Sequence, residues 1–240
     1  MSTAQEAPVF LTADWRTLVM LNWEIDPELL RARTPRGTTI DLWNGRTFVS
    51  VVGFRFLDTR VRSIPIPFHR DFDEVNLRCY VRREGPEGRR RGVVFVKEIV
   101  PKAAIAWVAR TVYNENYVAL PMDHDVVVPG RARYGWSLAG HRYSLSAAFS
   151  GEPVLPASGS EEEFITEHYW GYVTQRDGST VEYRVEHPPW RVWKADAASF
   201  EGPVAPLYGA EFETVLSRPP SSAFVAEGSG VVVRGGVSLG

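Results

Sequence analysis

The stretch Glu74-Val75-Asn76-Leu77-Arg78-Cys79-Tyr80-Val81-Arg82-Arg83 decides how this chain is read. Side chains alternate across a strand, so Val75, Leu77, Cys79 and Val81 share one face. Glu74, Asn76, Arg78, Tyr80 and Arg82 occupy the other. An acid, an amide and a guanidinium in one row can orient and protonate a small carboxylate or carbonyl compound. A solvated outer face of an antiparallel sheet has the same pattern, and alternation alone leaves both readings open. Arg91 to Val100 follows across a loop containing Gly85, Pro86 and Gly88, which predicts an antiparallel hairpin. Regular alternation there puts Lys97 in register with Val93, Phe95 and Ile99, and Glu98 with Val94, Val96 and Val100.

Outward from this hairpin, strand signals dominate. Thr38 to Trp43 and Arg46 to Leu57 flank Asn44-Gly45, a pair suited to a two-residue turn with positive dihedrals. Tyr169 to Gln175 and Thr180 to Glu186 flank Asp177-Gly178. Arg131 to Trp136, His141 to Phe149, Ala223 to Ala226 and Val231 to Arg234 are further strand candidates. Helices are few. Asp26-Pro27-Glu28 caps and opens a short one that ends at Pro35 to Gly37. Lys102 to about Asn116 is the longest, and Ser160 with Glu163 makes a capping box for a third. The expected class is mainly β (α+β), with two or three helices packed on an antiparallel sheet. Residues 1–240 are expected to form a single domain, because sandwiches and barrels reach this length undivided.

The 240 residues carry 27 basic and 29 acidic side chains, a net charge of −2. That balance argues against a nucleic-acid partner. No ~18-residue apolar run suits a membrane helix, and Met1 to Phe10 has no leader pattern, so the expected location is the cytoplasm. Only Lys97, Lys102 and Lys194 are lysines; the other 24 basic residues are arginines, whose planar forks suit carboxylates and phosphates. Cys79 stands alone, which excludes an internal disulfide or a thiolate zinc cluster. The five histidines show no metal-ligand spacing, and no phosphate-binding glycine loop, nucleophile elbow or zinc-protease helix appears. No cofactor and no metal are expected.

On the predicted long helix, Ala103, Ala106, Arg110, Tyr113 or Asn114, and Tyr117 fall on one face, bringing polar groups to the sheet's edge at its end. Lys97, flanked by apolar residues, has the surroundings of a Schiff-base lysine, although snorkelling or pairing with a carboxylate is the commoner outcome. His187-Pro188-Pro189-Trp190 is a stiff exit from a strand.

Taken in order, Asn22-Trp23, Phe54-Arg55-Phe56, Glu74 to Val81, Gly92-Val93-Val94-Phe95, Ala109-Arg110 and His187 to Trp190 resemble the YqjF-like family, domain of unknown function 2071. The resemblance covers nearly the whole chain, and that family is grouped with acetoacetate decarboxylase. It implies a closed or nearly closed antiparallel β-barrel with peripheral helices and an internal ligand cavity. It also implies an active-site role for Glu74, whose strand corresponds to one bearing a catalytic glutamate. The decarboxylase helix ends in G-R-E-x-x-x-Y-P-K-K, whose first terminal lysine forms the imine. Here Arg110 is kept, but Tyr117 and Val118 stand in place of the lysine pair. Tyrosine cannot condense with a ketone, so the lysine mechanism does not carry over.

The reading that follows is a protein that binds, and as an enzyme transforms, a small oxo- or carboxylate-bearing metabolite. As an enzyme it would be a cofactor-independent lyase of decarboxylase or dehydratase type, not a true acetoacetate decarboxylase. Glu74 and Tyr117 are the catalytic candidates; Arg78, Arg110, Asn76 and Tyr80 are substrate-binding candidates, with Lys97 and Asn114 as further ones. The alternative is a non-catalytic small-molecule carrier, including one for an apolar ligand lined by Phe54, Phe56, Phe95 and Trp107. A small molecule is the expected partner, and a homo-oligomer is compatible with the sequence.

Overall fold

In a computed structural model, residues 7–103 and 114–239 are described. The first half supplies the strands β1 (Val9–Glu24), β2 (Thr39–Ile40), β3 (Phe48–Val61), β4 (Ile64–Pro65), β5 (Phe72–Gly85) and β6 (Gly88–Val100). After residue 114 come β7 (Tyr117–Ala119), β8 (Met122–Val127), β9 (Gly130–Leu138) and β10 (His141–Phe149). A short helix α1 (Glu161–Thr166) leads into β11 (Trp170–Thr174) and β12 (Thr180–Glu186). β13 (Val192–Glu201), β14 (Ser222–Arg234) and β15 (Val237–Leu239) complete the sheet.

The fold is mainly β, and its hydrogen-bonded path runs β12-β11-β6-β5-β3-β1-β14. A further antiparallel pairing of Val185 and Glu186 with Val233 and Val232 joins β12 back to β14, so this path closes on itself. β13, β10, β9 and β8 extend from β14 as a flap of sheet. Not every pairing is antiparallel, as the sequence led us to expect. β11 and β7 each run parallel to β6, and Gly92 allows the first of these: a Cβ there would sit 2.6 Å from the Trp170 carbonyl oxygen.

β5 separates two cores, as its alternation predicts. Val75, Leu77, Cys79 and Val81 pack with Tyr134, Trp136 and Leu145 beneath the flap. Phe72 and Tyr80 join Phe54, Phe56, Phe164 and Trp190 on the other side. Each such large side chain contributes roughly 1.5–3 kcal/mol on burial.

Several expected elements differ. Asn44 and Gly45 do turn at positive φ, and Trp43 bridges Arg46, but the strand expected over Thr38 to Trp43 does not continue along β3. Thr39 and Ile40 pair with β5 instead, because the Asp41 amide donates to the Tyr80 carbonyl and its carboxylate is held by Arg91. Ala223 to Ala226 and Val231 to Arg234 are one strand, continuous past Gly228. β1 and β13 had no sequence signal. The last turns of β1 are buried on both faces, and Thr17 at φ 54° shifts its register against β3, so no alternation survives.

The helices are more numerous and shorter than the two or three expected. Pro27–Arg33 is a 3-10 turn capped by Asp26. Ser160 caps α1, and α2 (Ala205–Tyr208), a 3-10 turn (Ala210–Phe212) and α3 (Glu213–Leu216) link β13 to β14. Of the long helix expected over Lys102 to Asn116, residues 104–113 lie outside the described residues; Ala103 is helical and 114–116 are not.

Candidate functional site

A cavity of about 310 Å³ lies within the closed path of strands, against the Glu74 face of β5. Its position follows from register. Phe54 on β3 opposes Glu74, while Val52 and Glu98 flank Asn76 from either side. Glu98 in turn is paired with Tyr117 on β7. Directly paired side chains stand about 4.5–5.5 Å apart at Cβ, so this register gathers the polar groups into one patch.

Glu98 reaches the cavity through an irregularity. Arg78 pairs with Phe95 and Leu77 with Lys97, which leaves Val96 as an extra residue in β6. Such a β-bulge flips the alternation beyond it. Phe95 and Glu98 therefore line the cavity together, while Lys97 turns to the opposite face. There its ammonium donates to Asn116 Oδ1 (2.8 Å), and Asn116 Nδ2 donates to the Val96 carbonyl (2.7 Å), tying down the bulge. Burial, with Arg33 nearby, lowers the Lys97 pKa. None of the chain's three lysines lines the cavity.

Glu74, Glu98 and Glu115 are all buried. Asn76 Nδ2 donates to Glu74 Oε1 at 2.9 Å, and the Tyr117 hydroxyl donates to Glu74 Oε2 at 3.0 Å. Glu98 and Glu115 share a hydrogen bond, and the Tyr183 hydroxyl donates to Glu115 at 3.0 Å. Burial pushes the Glu74 pKa up to about 7 against the pull of Asn76, Tyr117 and Arg78. Burial also lifts Glu115 to about 8, and lifts Glu98 well above the ordinary range with help from the neighbouring Glu115 and Glu74 charges. Desolvation disfavours the charged form, so protons are retained here near neutrality.

Arg78 lines the same cavity, and among the described residues no carboxylate lies within ion-pair distance of it. Its Nε donates to the Tyr80 hydroxyl at 3.3 Å and its Nη2 to the Ile165 carbonyl at 3.5 Å. Tyr80 is 2.7 Å from Ser50 Oγ, which donates to Asn22 Oδ1 at 2.6 Å. The Ser50 proton is thus committed to Asn22, so Tyr80 donates to Ser50 and accepts from Arg78. Tyr80 stands behind Arg78, fixing its direction, and does not line the cavity.

Three histidines, His69, His168 and His187, also line the cavity. His187 is stacked on Trp190, with centroids 3.9 Å apart, and its Nδ1 lies 2.9 Å from the Pro188 carbonyl. A carbonyl only accepts, so Nδ1 carries the proton. His168 is bound to Asp41 through Nε2 at 3.2 Å. Burial lowers the His187 and His168 imidazoles to about 4 and keeps them neutral. Aromatic rings make up much of the rest of the wall, among them Trp15, Phe54, Phe56, Phe72, Phe95 and Trp190, beside aliphatic residues such as Leu18, Ile66 and Val93. Trp15 is edge-on to Phe56, and Phe56 is stacked on Phe72 at 4.5 Å.

Of the residues singled out from sequence, Glu74, Asn76, Arg78 and Tyr117 meet in one cavity, as do Phe54, Phe56 and Phe95. Lys97 and Tyr80 do not reach it. Asn114, at φ 58°, donates to the Thr174 carbonyl at 3.0 Å away from the cavity. Arg110 and Trp107 lie outside the described residues. Sequence reasoning missed Glu98, Glu115, Tyr183 and His168. A glutamate inside the apolar run Val93 to Val100 was the available signal for Glu98. Cys79 faces the other core, its thiol pushed up to about 12 by burial.

A model of DUF2071, an uncharacterised conserved protein family, matches residues 12–230. The chain is 27% identical over 203 residues to the uncharacterised protein YqjF of Bacillus subtilis (strain 168), covering 81% of this chain and 80% of that protein. Among solved structures, the acetoacetate decarboxylase of Legionella pneumophila superposes with a TM-score of 0.70 at 13% identity, over 97% of this chain and 88% of that one. The enduracididine biosynthesis enzyme MppR, complexed with pyruvate, superposes with a TM-score of 0.69 at 15% identity, over 100% and 93%. At these identities the structural likeness concerns the fold.

Proposed function

Because the chain belongs to the DUF2071 family and folds like acetoacetate decarboxylase, we propose that it binds and transforms a small oxo- or carboxylate-bearing molecule without a Schiff-base lysine. The closed path of strands is read here as a barrel whose interior holds the substrate. The observation that carries this reading is the Glu74–Tyr117 hydrogen bond, buried at the wall of an aromatic cavity that also holds Arg78. A carboxyl with a pKa near 7 is populated in both forms at neutral pH, which suits one group to give and take a proton. Arg78, aimed by Tyr80, takes the anionic end of the substrate, and the aromatic wall holds its apolar part. Glu74 then exchanges a proton at the carbon or oxygen next to the carbonyl, while Tyr117 holds the Glu74 carboxyl in place. Decarboxylation, dehydration and enolisation all draw on this set. The likeness to a protein complexed with pyruvate, itself an oxo acid, supports this ligand class.

The test is proton–deuterium exchange, followed by NMR, at the carbons flanking the carbonyl of 2-oxo and 3-oxo acids in D₂O. Catalysed exchange or turnover is expected for the wild type, and Glu74→Gln is expected to lower it by about a hundredfold or more. A Glu74→Gln protein with full activity overturns the assignment. Tight binding with no exchange for any acid favours a carrier, a reading supported by the aromatic wall.

A further inference from the structure

We infer that the carboxyl end of this cavity receives a protonated nitrogen, and that the natural ligand is therefore an amine-bearing small molecule. The inference rests on reading the cavity as a ligand site and adds the charge of its occupant. Glu74, Glu98 and Glu115 converge there from β5, β6 and the segment before β7. An acidic cluster can be satisfied internally, so the hydrogen-bond census decides the matter.

The donors facing the cluster are already committed. Asn76 Nδ2 and the Tyr117 hydroxyl are given to Glu74, and the Tyr183 hydroxyl to Glu115. Glu98 and Glu115 are hydrogen-bonded to each other. Among the described residues that line the cavity, five buried polar atoms have no partner: Trp15 Nε1, Thr59 Oγ1, His168 Nδ1, Asn76 Oδ1 and Glu98 Oε2, of which the last two, both acceptors, belong to the carboxyl patch. Asn76 and Glu98 are directly paired across β5 and β6, so the two orphan oxygens belong to neighbouring side chains at one place on the cavity wall. Leaving a buried acceptor unpaired is costly, and buried polar groups are normally satisfied.

Among the described residues, the patch has no positively charged side chain and no uncommitted N–H donor aimed at these two oxygens. No lysine reaches the cavity, and Arg78 is turned toward Tyr80 and Ile165. An ammonium brings three donors and one charge. The remaining wall suits an organic cation. Phe54 is the cross-strand neighbour of Glu74, and Phe95 lies three residues from Glu98 on the same surface. Aromatic faces attract such cations and accommodate an apolar body. Among the described residues no three His, Cys, Asp or Glu side chains are grouped so that they could hold a metal ion. With Arg78 lining the same cavity, a ligand bearing both an ammonium and a carboxylate meets both charges.

Three probes of similar size separate these charges: 2-phenylethylamine, 3-phenylpropanoate and phenylalanine. Titration of the full chain by calorimetry and thermal shift is expected to show binding of the amine and of phenylalanine. The titratable groups that line the cavity are Glu74 and Arg78 of β5, Glu98 of β6, Glu115, Tyr117, Tyr183, His69, His168 and His187. Ammonium binding draws the carboxyls to ionise, so its affinity is expected to rise between pH 5.5 and 8, with proton release. Glu98→Gln is expected to weaken the amine about tenfold, the loss of one charge-assisted hydrogen bond. Asn76→Leu provides a second variant should the first fail to fold. Binding of 3-phenylpropanoate alone overturns this inference and leaves the proposed function standing. Binding of the amine with no contribution from the carboxylate of phenylalanine supports the inference and removes the role given to Arg78. Binding of none overturns both, and stabilisation by Mg²⁺ or Ca²⁺ in place of the amine overturns the inference alone.

Discussion

Phe95 and Glu98 face the same cavity although they stand three positions apart on one strand. Regular pleating forbids that, because an odd spacing alternates sides. The extra residue Val96 reverses the alternation, and the same reversal carries Lys97 out of the cavity. One bulge therefore decides which of two adjacent charges, an amine or a carboxyl, meets the ligand.

The first prediction concerns covalent chemistry. With no lysine at the cavity wall, borohydride reduction in the presence of acetoacetate or pyruvate is expected to leave the protein's mass unchanged. A stable adduct at Lys97, located by peptide mass spectrometry, would contradict the placement of its side chain.

The second concerns pH. A carboxyl whose folded pKa lies above its unfolded value favours the fold fully below the unfolded pKa, and that stabilisation is lost as pH rises through the folded pKa. Glu74 and Glu115 rise from 4.5 to about 7 and about 8, and Glu98 rises further in the same direction. Stability is therefore expected to fall from about pH 5 to pH 8. Glu98→Gln should flatten that decline, stabilising the fold at pH 8 and changing it little at pH 5. Chemical denaturation at the two pH values measures the difference.

Removing a donor should have the opposite effect. Tyr117→Phe deletes the hydrogen bond to Glu74 Oε2 and leaves that carboxylate less satisfied. The Glu74 pKa is expected to rise further, by about one unit, with about 1–2 kcal/mol lost at pH 8 and less at pH 5. Carbon-13 NMR titration of the glutamate carboxyls reads the shift directly.

Asp41 anchors a second buried network. Burial pushes its pKa up, but hydrogen bonds from His168 and Arg91 outweigh this and hold it well below the ordinary range. Asp41→Ala strands a buried imidazole and a guanidinium and releases the β2 segment from β5. A loss of about 3 kcal/mol is expected from denaturation curves at pH 7. His168→Gln, which keeps a donor toward Asp41, should lose less than half of that.

Gly92→Ala tests the parallel contact between β6 and β11. Its Cβ would lie 2.6 Å from the Trp170 carbonyl oxygen, and backbone cannot yield as a flexible side chain does. A loss of about 2–3 kcal/mol is expected, with faster amide exchange in β11 than in β3.

How much of this was legible in the sequence differs from strand to strand. β5 was legible because one face is uniformly apolar and the other polar, and the two-core arrangement preserves that alternation. β1 was not, since its C-terminal half is buried on both sides and alternation carries no information there. β13 reads Val-Trp-Lys-Ala-Asp-Ala-Ala-Ser-Phe-Glu, and its alanines favour no strand. At the site, residues sharing β5 with Glu74 were found by periodicity. Glu98 was hidden by a bulge, which has no signature in residue type. Glu115 was read as part of a helix, and Tyr183 and His168 reach the cavity only through tertiary closure.

The pairing of β1 with β14 has a further consequence. Arg16 meets Gly228 and Val9 meets Arg234, so the earliest strand to leave the ribosome waits for almost the last. A nascent chain halted before β14 holds β1 with one edge bare, and the chamber has no far wall. Such long-separation contacts slow folding and expose strand edges to neighbouring chains. The interior chemistry thus comes into being only after β14 has been made.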